Sequence, residues 1–118
     1  MKSRNIPAIL MLSVLWVITV DLVRIPAHAQ EAVNLQTSIK NHRFEPSELK
    51  APANRPVTLT VRNLDPSPEE FESRTLRVEK VVAGNSVITI QLRPLAPGRY
   101  RFYGDFNQAT AQGAISAE

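Results

Sequence analysis

Residues 97–117 read PGRYRFYGDFNQATAQGAISA, and the pattern of this stretch decides the fold. Pro97 and Gly98 are turn residues, and residues 99–103 then alternate, with Tyr100 and Phe102 on one face. A polar loop follows, and residues 113–117 form a short, small-residue segment that we interpret as a strand. The end of the chain is therefore predicted to be two strands joined by a loop.

The same alternation recurs upstream. Mainly apolar side chains occupy every second position in residues 33–39, 57–61 and 87–92, and residues 76–78 are predicted to belong to a further strand. Proline and glycine punctuate the intervals, and in the proline-broken stretch around residue 46 the predicted inward side chains are Phe44, Leu49 and Ala51. Helical spacing of apolar residues is absent after residue 30. Short strands separated by turns predict an all-β antiparallel sandwich.

The first 29 residues have the pattern of a secretory signal peptide. Lys2 and Arg4 precede an apolar run over residues 6–20, and residues 27–29 read Ala-His-Ala, a cleavage pattern. We therefore expect an exported, periplasmic protein with a signal peptide at 1–29 and one domain at 30–118. An uncleaved membrane anchor is the alternative, although the apolar run is short for a membrane-spanning helix.

Composition after residue 29 excludes several classes of function. Three basic residues and one acidic residue lie in the first 29 positions, so the remainder has a net charge of +1 where the whole chain has +3. This balance gives no support to a nucleic-acid partner. Cysteine is absent from the chain, and the only histidine after residue 29 is His42. Disulfides are therefore excluded, and a Ser-His-Asp hydrolase or a phosphate-loop enzyme has little support.

The C-terminal stretch resembles the last hairpin of the cupredoxins. In that family a PG-x-Y-x-F strand leads into a loop that carries a cysteine, a histidine and a methionine, and here Gly104, Asn107 and Gln112 stand at those positions. The family's other histidine follows a V-x-x-N strand and a proline loop, which correspond here to residues 61–63 and 68–70. The resemblance implies a cupredoxin-like Greek-key antiparallel β-sandwich. A blue-copper centre is excluded because it needs a thiolate and two imidazoles.

A narrower resemblance extends over nearly the whole domain. The run EEFES at residues 69–73 and the pattern G-x-F-N-x-x-T-A-Q-G at residues 104–113 are similar to the EfeO-type cupredoxin-like proteins. These exported proteins accompany high-affinity iron permeases. The resemblance implies an iron-binding accessory protein, with copper as a second metal, and it implies a membrane iron permease and its periplasmic partner proteins as partners.

The acidic segment supplies the candidate ligands. In an extended chain Phe71 points to the core, and Glu70 and Glu72 share the other face. A bulge near residues 74–75 is expected to bring Glu79 back to that face, and Asp105 approaches from a neighbouring strand. Carboxylates are hard oxygen donors suited to iron and to divalent cations such as manganese. The full predicted metal set is Glu70, Glu72, Glu79 and Asp105, with Glu69 and His42 as additional candidates.

Three alternatives remain open at this point. Arg74, Arg77 and Lys80 are interleaved with the glutamates, so the segment is also compatible with an exposed, ion-paired strand. A metal-free adaptor would use the sandwich as a docking surface for a membrane partner. A ferroxidase, the one enzymatic alternative, would need a redox-active metal at the same residues.

Overall fold

The structure, a computed structural model, describes residues 2–5 and 31–118. The apolar run and the cleavage site of the predicted signal peptide lie outside the described residues. Within those two ranges, no helix has the length and apolar character needed to cross a membrane.

Residues 31–118 fold into a sandwich of two β-sheets. One sheet has the order β2-β1-β4-β7, and the other has the order β3-β9-β8-β5-β6. A single 3-10 turn, Asp105–Asn107, follows the eighth strand. The strands are β1 (Val33–Lys40), β2 (Arg43–Glu45), β3 (Glu48–Ala51), β4 (Val57–Asn63), β5 (Glu69–Ser73), β6 (Val78–Val82), β7 (Val87–Leu92), β8 (Gly98–Gly104) and β9 (Gln112–Ala117).

The predicted all-β sandwich is confirmed, but its two sheets are mixed and not purely antiparallel as expected. β1 pairs with β4 in parallel, and β3 pairs with β9 in parallel, whereas the other pairings are antiparallel. Parallel neighbours need a connection longer than a hairpin. The chain provides one by leaving the first sheet to form β3 in the second sheet before it returns as β4.

The core lies between the sheets and contains the inward side chains of both. Val57, Leu59 and Val61 of β4 are fully buried, as their alternation predicts. Phe44, Leu49 and Ala51, the side chains predicted to point inward, are buried as well. Three phenylalanines, Phe44, Phe71 and Phe102, form the aromatic centre, with ring centroids 4.8–6.0 Å apart.

The segment after β5 differs from the predicted bulge. Residues 74–77 form a turn, and only Val78 of the predicted 76–78 strand segment lies in a strand. The turn buries Leu76, whose backbone N–H donates to Ser73 Oγ at 3.2 Å. Ser73 Oγ in turn donates to the carbonyl of Arg101 at 2.7 Å, which fixes the turn against β8. A tight hairpin therefore performs the change of face that a bulge was expected to make.

Candidate metal centre

The candidate site lies on the outer face of the five-stranded sheet, where β5 and β8 pair. Phe71 is opposite Gly104 in the register, and both residues are buried toward the core. The neighbouring pair, Glu72 and Tyr103, points outward by strand alternation. Glu70 occupies the same outer face as Glu72. The backbone of β5 therefore holds two carboxylates side by side, two residues apart.

A third carboxylate comes from the 3-10 turn that follows β8. Asp105 is the first residue of that turn. Glu70, Glu72 and Asp105 each present one carboxylate oxygen, and these three oxygens lie within 4.8 Å of one another. All three residues are partly buried. Carboxylates from two segments that are far apart in sequence, β5 and the 3-10 turn, therefore form one concentrated negative charge.

Glu79 lies at the edge of this group. It is exposed on β6, directly opposite Glu72 in the strand register. A hydrogen bond with the Glu79 carboxyl raises the pKa of Glu70, and partial burial and the charges of Glu79, Asp105 and Glu72 raise it further. Glu70, Glu72 and Asp105, three of the four principal candidates, therefore lie close together. Glu79, the fourth, lies beside them on β6.

Tyr103 borders the carboxylates on β8. Burial, followed by the neighbouring Glu72 carboxylate, raises the pKa of the Tyr103 phenol, and Arg74 opposes this shift. Gln112 lies opposite Tyr103 on β9. Along this row the surface changes from acidic at β6 and β5 to neutral at β9.

His42 lies apart from the acidic group. It is an exposed residue of the turn between β1 and β2, which belong to the other sheet. Its backbone N–H donates to Asp65 Oδ2 at 2.9 Å, and Asn41 N–H donates to Asp65 Oδ1 at 2.8 Å. Both turn residues have positive φ, 53° for Asn41 and 56° for His42, as in a tight hairpin turn. The structure therefore gives His42 a place in a turn and does not bring it to the carboxylates.

Glu69 is separated from the other glutamates by the sheet itself. Its side chain faces inward and is only 2% exposed. Glu69 Oε1 accepts from the backbone N–H of Phe106 at 2.9 Å and of Glu70 at 3.0 Å, and Oε2 accepts from Asn107 Nδ2 at 2.7 Å. These bonds attach β5 to the 3-10 turn and so fix the position of Asp105. Glu69 shares strand parity with Phe71, a signal in the sequence that predicts its inward direction.

The interior of this end of the sandwich does not fit the blue-copper centre that the cupredoxin resemblance would suggest. Gly104 and Asn107 stand where the cupredoxin resemblance places a cysteine and a histidine. A Cβ atom on Gly104 would lie 2.5 Å from Glu69 Cδ and 2.8 Å from the Cβ of Ala111. The Glu69 carboxylate therefore fills the space that a sulfur ligand would need. The chain also has no cysteine, so a blue-copper site cannot form.

Comparison with curated proteins finds a relative at substantial identity. An uncharacterized protein of Rickettsia prowazekii (strain Madrid E) is 42% identical over 83 residues, which are 70% of this chain. The chain spans 66% of that relative's length.

Solved structures share the fold at low sequence identity. Auracyanin A, a blue copper protein of Chloroflexus aurantiacus, superposes with a TM-score of 0.63 at 12% identity, over 75% of this chain and 100% of that one. The metal-binding domain of the Cu(I)-exporting P-type ATPase CopA of Streptococcus pneumoniae D39 gives 0.61 at 15% identity, over 72% and 84%. A purple cupredoxin of Nitrosopumilus maritimus gives 0.56 at 17% identity, over 75% and 100%. The family model of the Cupredoxin-like domain matches residues 8–117, and the chain therefore belongs to the family of cupredoxin-like domains.

Proposed function

We propose that this protein is an exported, EfeO-type accessory of a membrane iron permease and that it binds iron at Glu70, Glu72 and Asp105. Glu79 completes the site from β6. The permease and its periplasmic partner proteins are the proposed recipients of the metal. The resemblance of residues 69–73 and 104–113 to EfeO-type proteins supports the iron-uptake context.

The carrying observation is the placement of three carboxylate oxygens, two from β5 and one from the 3-10 turn, within 4.8 Å of one another. Like charges at this separation repel, and the charges of Glu79, Asp105 and Glu72 add to the hydrogen bond with Glu79 and to burial in raising the pKa of Glu70. A bound cation removes the repulsion and supplies the opposite charge. Oxygen-only ligands favour hard cations such as Fe(III) and Mn(II) and are poor ligands for Cu(I).

Isothermal titration of the purified protein with Fe(III)-citrate, Mn(II) and Cu(II) tests this proposal. We expect saturable binding of Fe(III) or Mn(II) that falls at least tenfold in the double variant Glu70→Gln/Glu72→Gln. The matched control is Glu31→Gln/Glu45→Gln, which removes two exposed carboxylates away from the site and leaves binding unchanged. Equal binding by both double variants, or no saturable heat for any metal, contradicts the proposal.

Two further measurements on the same purified protein distinguish the proposed iron-binding function from the two alternatives, a metal-free adaptor and a ferroxidase. A metal-free adaptor would melt at the same temperature with and without metal and would co-purify with a membrane partner. A ferroxidase would accelerate the oxidation of Fe(II) by oxygen, and this rate is measured with and without added copper. The carrier proposed here retains iron without accelerating its oxidation.

A further inference from the structure

A second feature of the outer sheet face lies on the other side of Tyr103 from the carboxylates. It is a surface concavity of about 360 Å³ between the β5–β6 turn, β8 and the 3-10 turn region. This volume is in the range of small-molecule sites and exceeds the space that a single ion needs. The lining residues are Arg74, Thr75, Arg101, Tyr103, Gln108 and Gln112.

The lining contains no carboxylate and carries several hydrogen-bond donors, although the amides of Gln108 and Gln112 already donate to Asp105 Oδ1 at 2.6 Å and to the carbonyl of Gln108 at 2.9 Å. It presents the guanidinium groups of Arg74 and Arg101, two hydroxyls and two amides. Neither arginine forms an ion pair within residues 31–118, where the ion pairs are Lys50 with Glu118 and Arg99 with Glu48. Arg101 makes only a long hydrogen bond of 3.4 Å to the side-chain oxygen of Gln112. Two guanidinium groups that have no carboxylate partner and lie at one concavity are suited to the bidentate binding of an anion.

The register places Tyr103 between Glu72 and the concavity. Glu72 lies opposite Tyr103 on one side, and Gln112, a lining residue, lies opposite Tyr103 on the other. Tyr103 thus borders Glu72 of the acidic group and lines the concavity together with Arg74. The face is therefore acidic at the Glu70 end and basic at the Arg101 end, and the phenol links the two halves.

We propose that this concavity, the Arg74–Arg101 pocket, binds the carboxylate groups of a small polycarboxylate chelator that carries the metal ion. The metal part of this inference rests on the proposed function, whereas the anion pocket does not. A ligand that is cationic at its metal and anionic at its periphery matches the two halves of the face. The substrate is thus a metal–polycarboxylate complex, and the free hydrated ion is not its main form.

The test uses the purified full chain and titrates citrate alone, citrate loaded with redox-inert Ga(III), and inorganic phosphate. We expect citrate alone to bind saturably and to bind at least tenfold more weakly to Arg74→Gln/Arg101→Gln. The matched control is Arg62→Gln/Arg93→Gln, which removes two exposed arginines outside the pocket and leaves citrate binding unchanged. Glu70→Gln/Glu72→Gln is expected to bind citrate alone no more weakly than the unaltered chain.

Several outcomes overturn the pocket. The pocket is rejected if the arginine variant and its control bind citrate equally, or if citrate alone does not bind to the unaltered chain. Tight binding of phosphate with no binding of citrate also overturns the polycarboxylate assignment. The proposed function can fail separately from the pocket. If citrate binding depends on the arginines but Ga(III) stays in solution with every variant, the pocket is supported and the metal site is rejected.

Discussion

At the scale of single residues, the neighbours Glu69 and Glu70 show how strand parity separates two identical side chains. Glu70 lies in the acidic group on the outer face, whereas Glu69 is buried and accepts three hydrogen bonds. Composition and spacing place both in one acidic run. Only the direction of Phe71 distinguishes them, since the residue two positions before an inward phenylalanine also points inward.

Replacing Glu69 with glutamine is expected to destabilise the fold. The amide group would point an N–H at the backbone N–H of Phe106 or at the side-chain amide of Asn107, so at least one charge-assisted bond is lost. Loss of such a bond in a buried place costs about 2–3 kcal/mol. Urea unfolding measures the difference, with exposed Glu45→Gln as the control, expected within about 0.5 kcal/mol of the unaltered chain. Equal stability of the two variants contradicts the role given to Glu69.

Asp65 gives the fold a pH dependence. Hydrogen bonds from the backbone N–H groups of His42 and Asn41 hold its pKa below the usual value, although burial opposes them. A lowered pKa in the folded state stabilises the fold above the unfolded-state pKa of about 3.9. That contribution is lost as the pH falls through the lower folded-state pKa.

Asp65→Asn is therefore expected to cost about 1–2 kcal/mol at pH 7 and clearly less at pH 3. Urea unfolding of the variant and the unaltered chain at pH 7, 5 and 3 gives the comparison. A stability difference that is the same at pH 7 and pH 3 would show that the carboxylate charge has no part in holding the β1–β2 turn.

At the scale of elements, the sequence predicts strands well where the side chains alternate and poorly where they do not. The apolar alternation of β4 and β7 specifies both strands nearly to the residue. β5 has one apolar residue, Phe71, among three glutamates and a serine. Two of its three inward side chains are therefore polar, and its formation as a strand depends on the pairing with β6 and β8. β1 pairs with β4 in parallel, and β3 pairs with β9 in parallel. Each pairing joins segments that are not adjacent in sequence, and no local pattern encodes it.

The contact between β5 and β8 at Gly104 gives a prediction for these elements. Gly104→Ala is expected to destabilise the fold by about 1–3 kcal/mol, because its methyl group would collide with Glu69 and Ala111. The cost is expected to be smaller in a Glu69→Ala background, where the colliding carboxylate is gone. A double-mutant cycle measures this coupling.

Gly113→Ala is the matched control for that cycle. Its methyl group would collide with the ring of Phe102, 2.5 Å away, and not with Glu69. Its cost is expected to be the same with and without the Glu69→Ala change. If Gly104→Ala lowers the free energy of unfolding equally in both backgrounds, the conclusion that the Glu69 carboxylate fills the space beside Gly104 is contradicted.

At the scale of the whole molecule, the candidate site combines what the sequence can and cannot predict. The parity of β5 places Glu70 and Glu72 together, and the loop after β8 supplies Asp105, so these three can be named from the sequence. The Arg74–Arg101 pocket could not be, because only the pairing of β8 with β5 brings Arg101 beside the turn that carries Arg74. Distances across a sheet depend on a register that no short motif specifies.

Metal binding is expected to stabilise the entire sandwich, because the three carboxylates join β5 to the end of β8 only in the folded chain. A ligand that binds the folded state alone adds about 2.7 kcal/mol at a free concentration one hundred times its Kd. For a domain of this size that corresponds to a rise in Tm of roughly 10–20 °C. Thermal unfolding with and without Mn(II) measures the rise, which is expected to disappear in Glu70→Gln/Glu72→Gln and to persist in Glu31→Gln/Glu45→Gln. Because Glu69 occupies the interior and no thiolate exists, Cu(I) is expected to leave the Tm unchanged, and an equal rise with Cu(I) and Mn(II) would contradict an oxygen-only site.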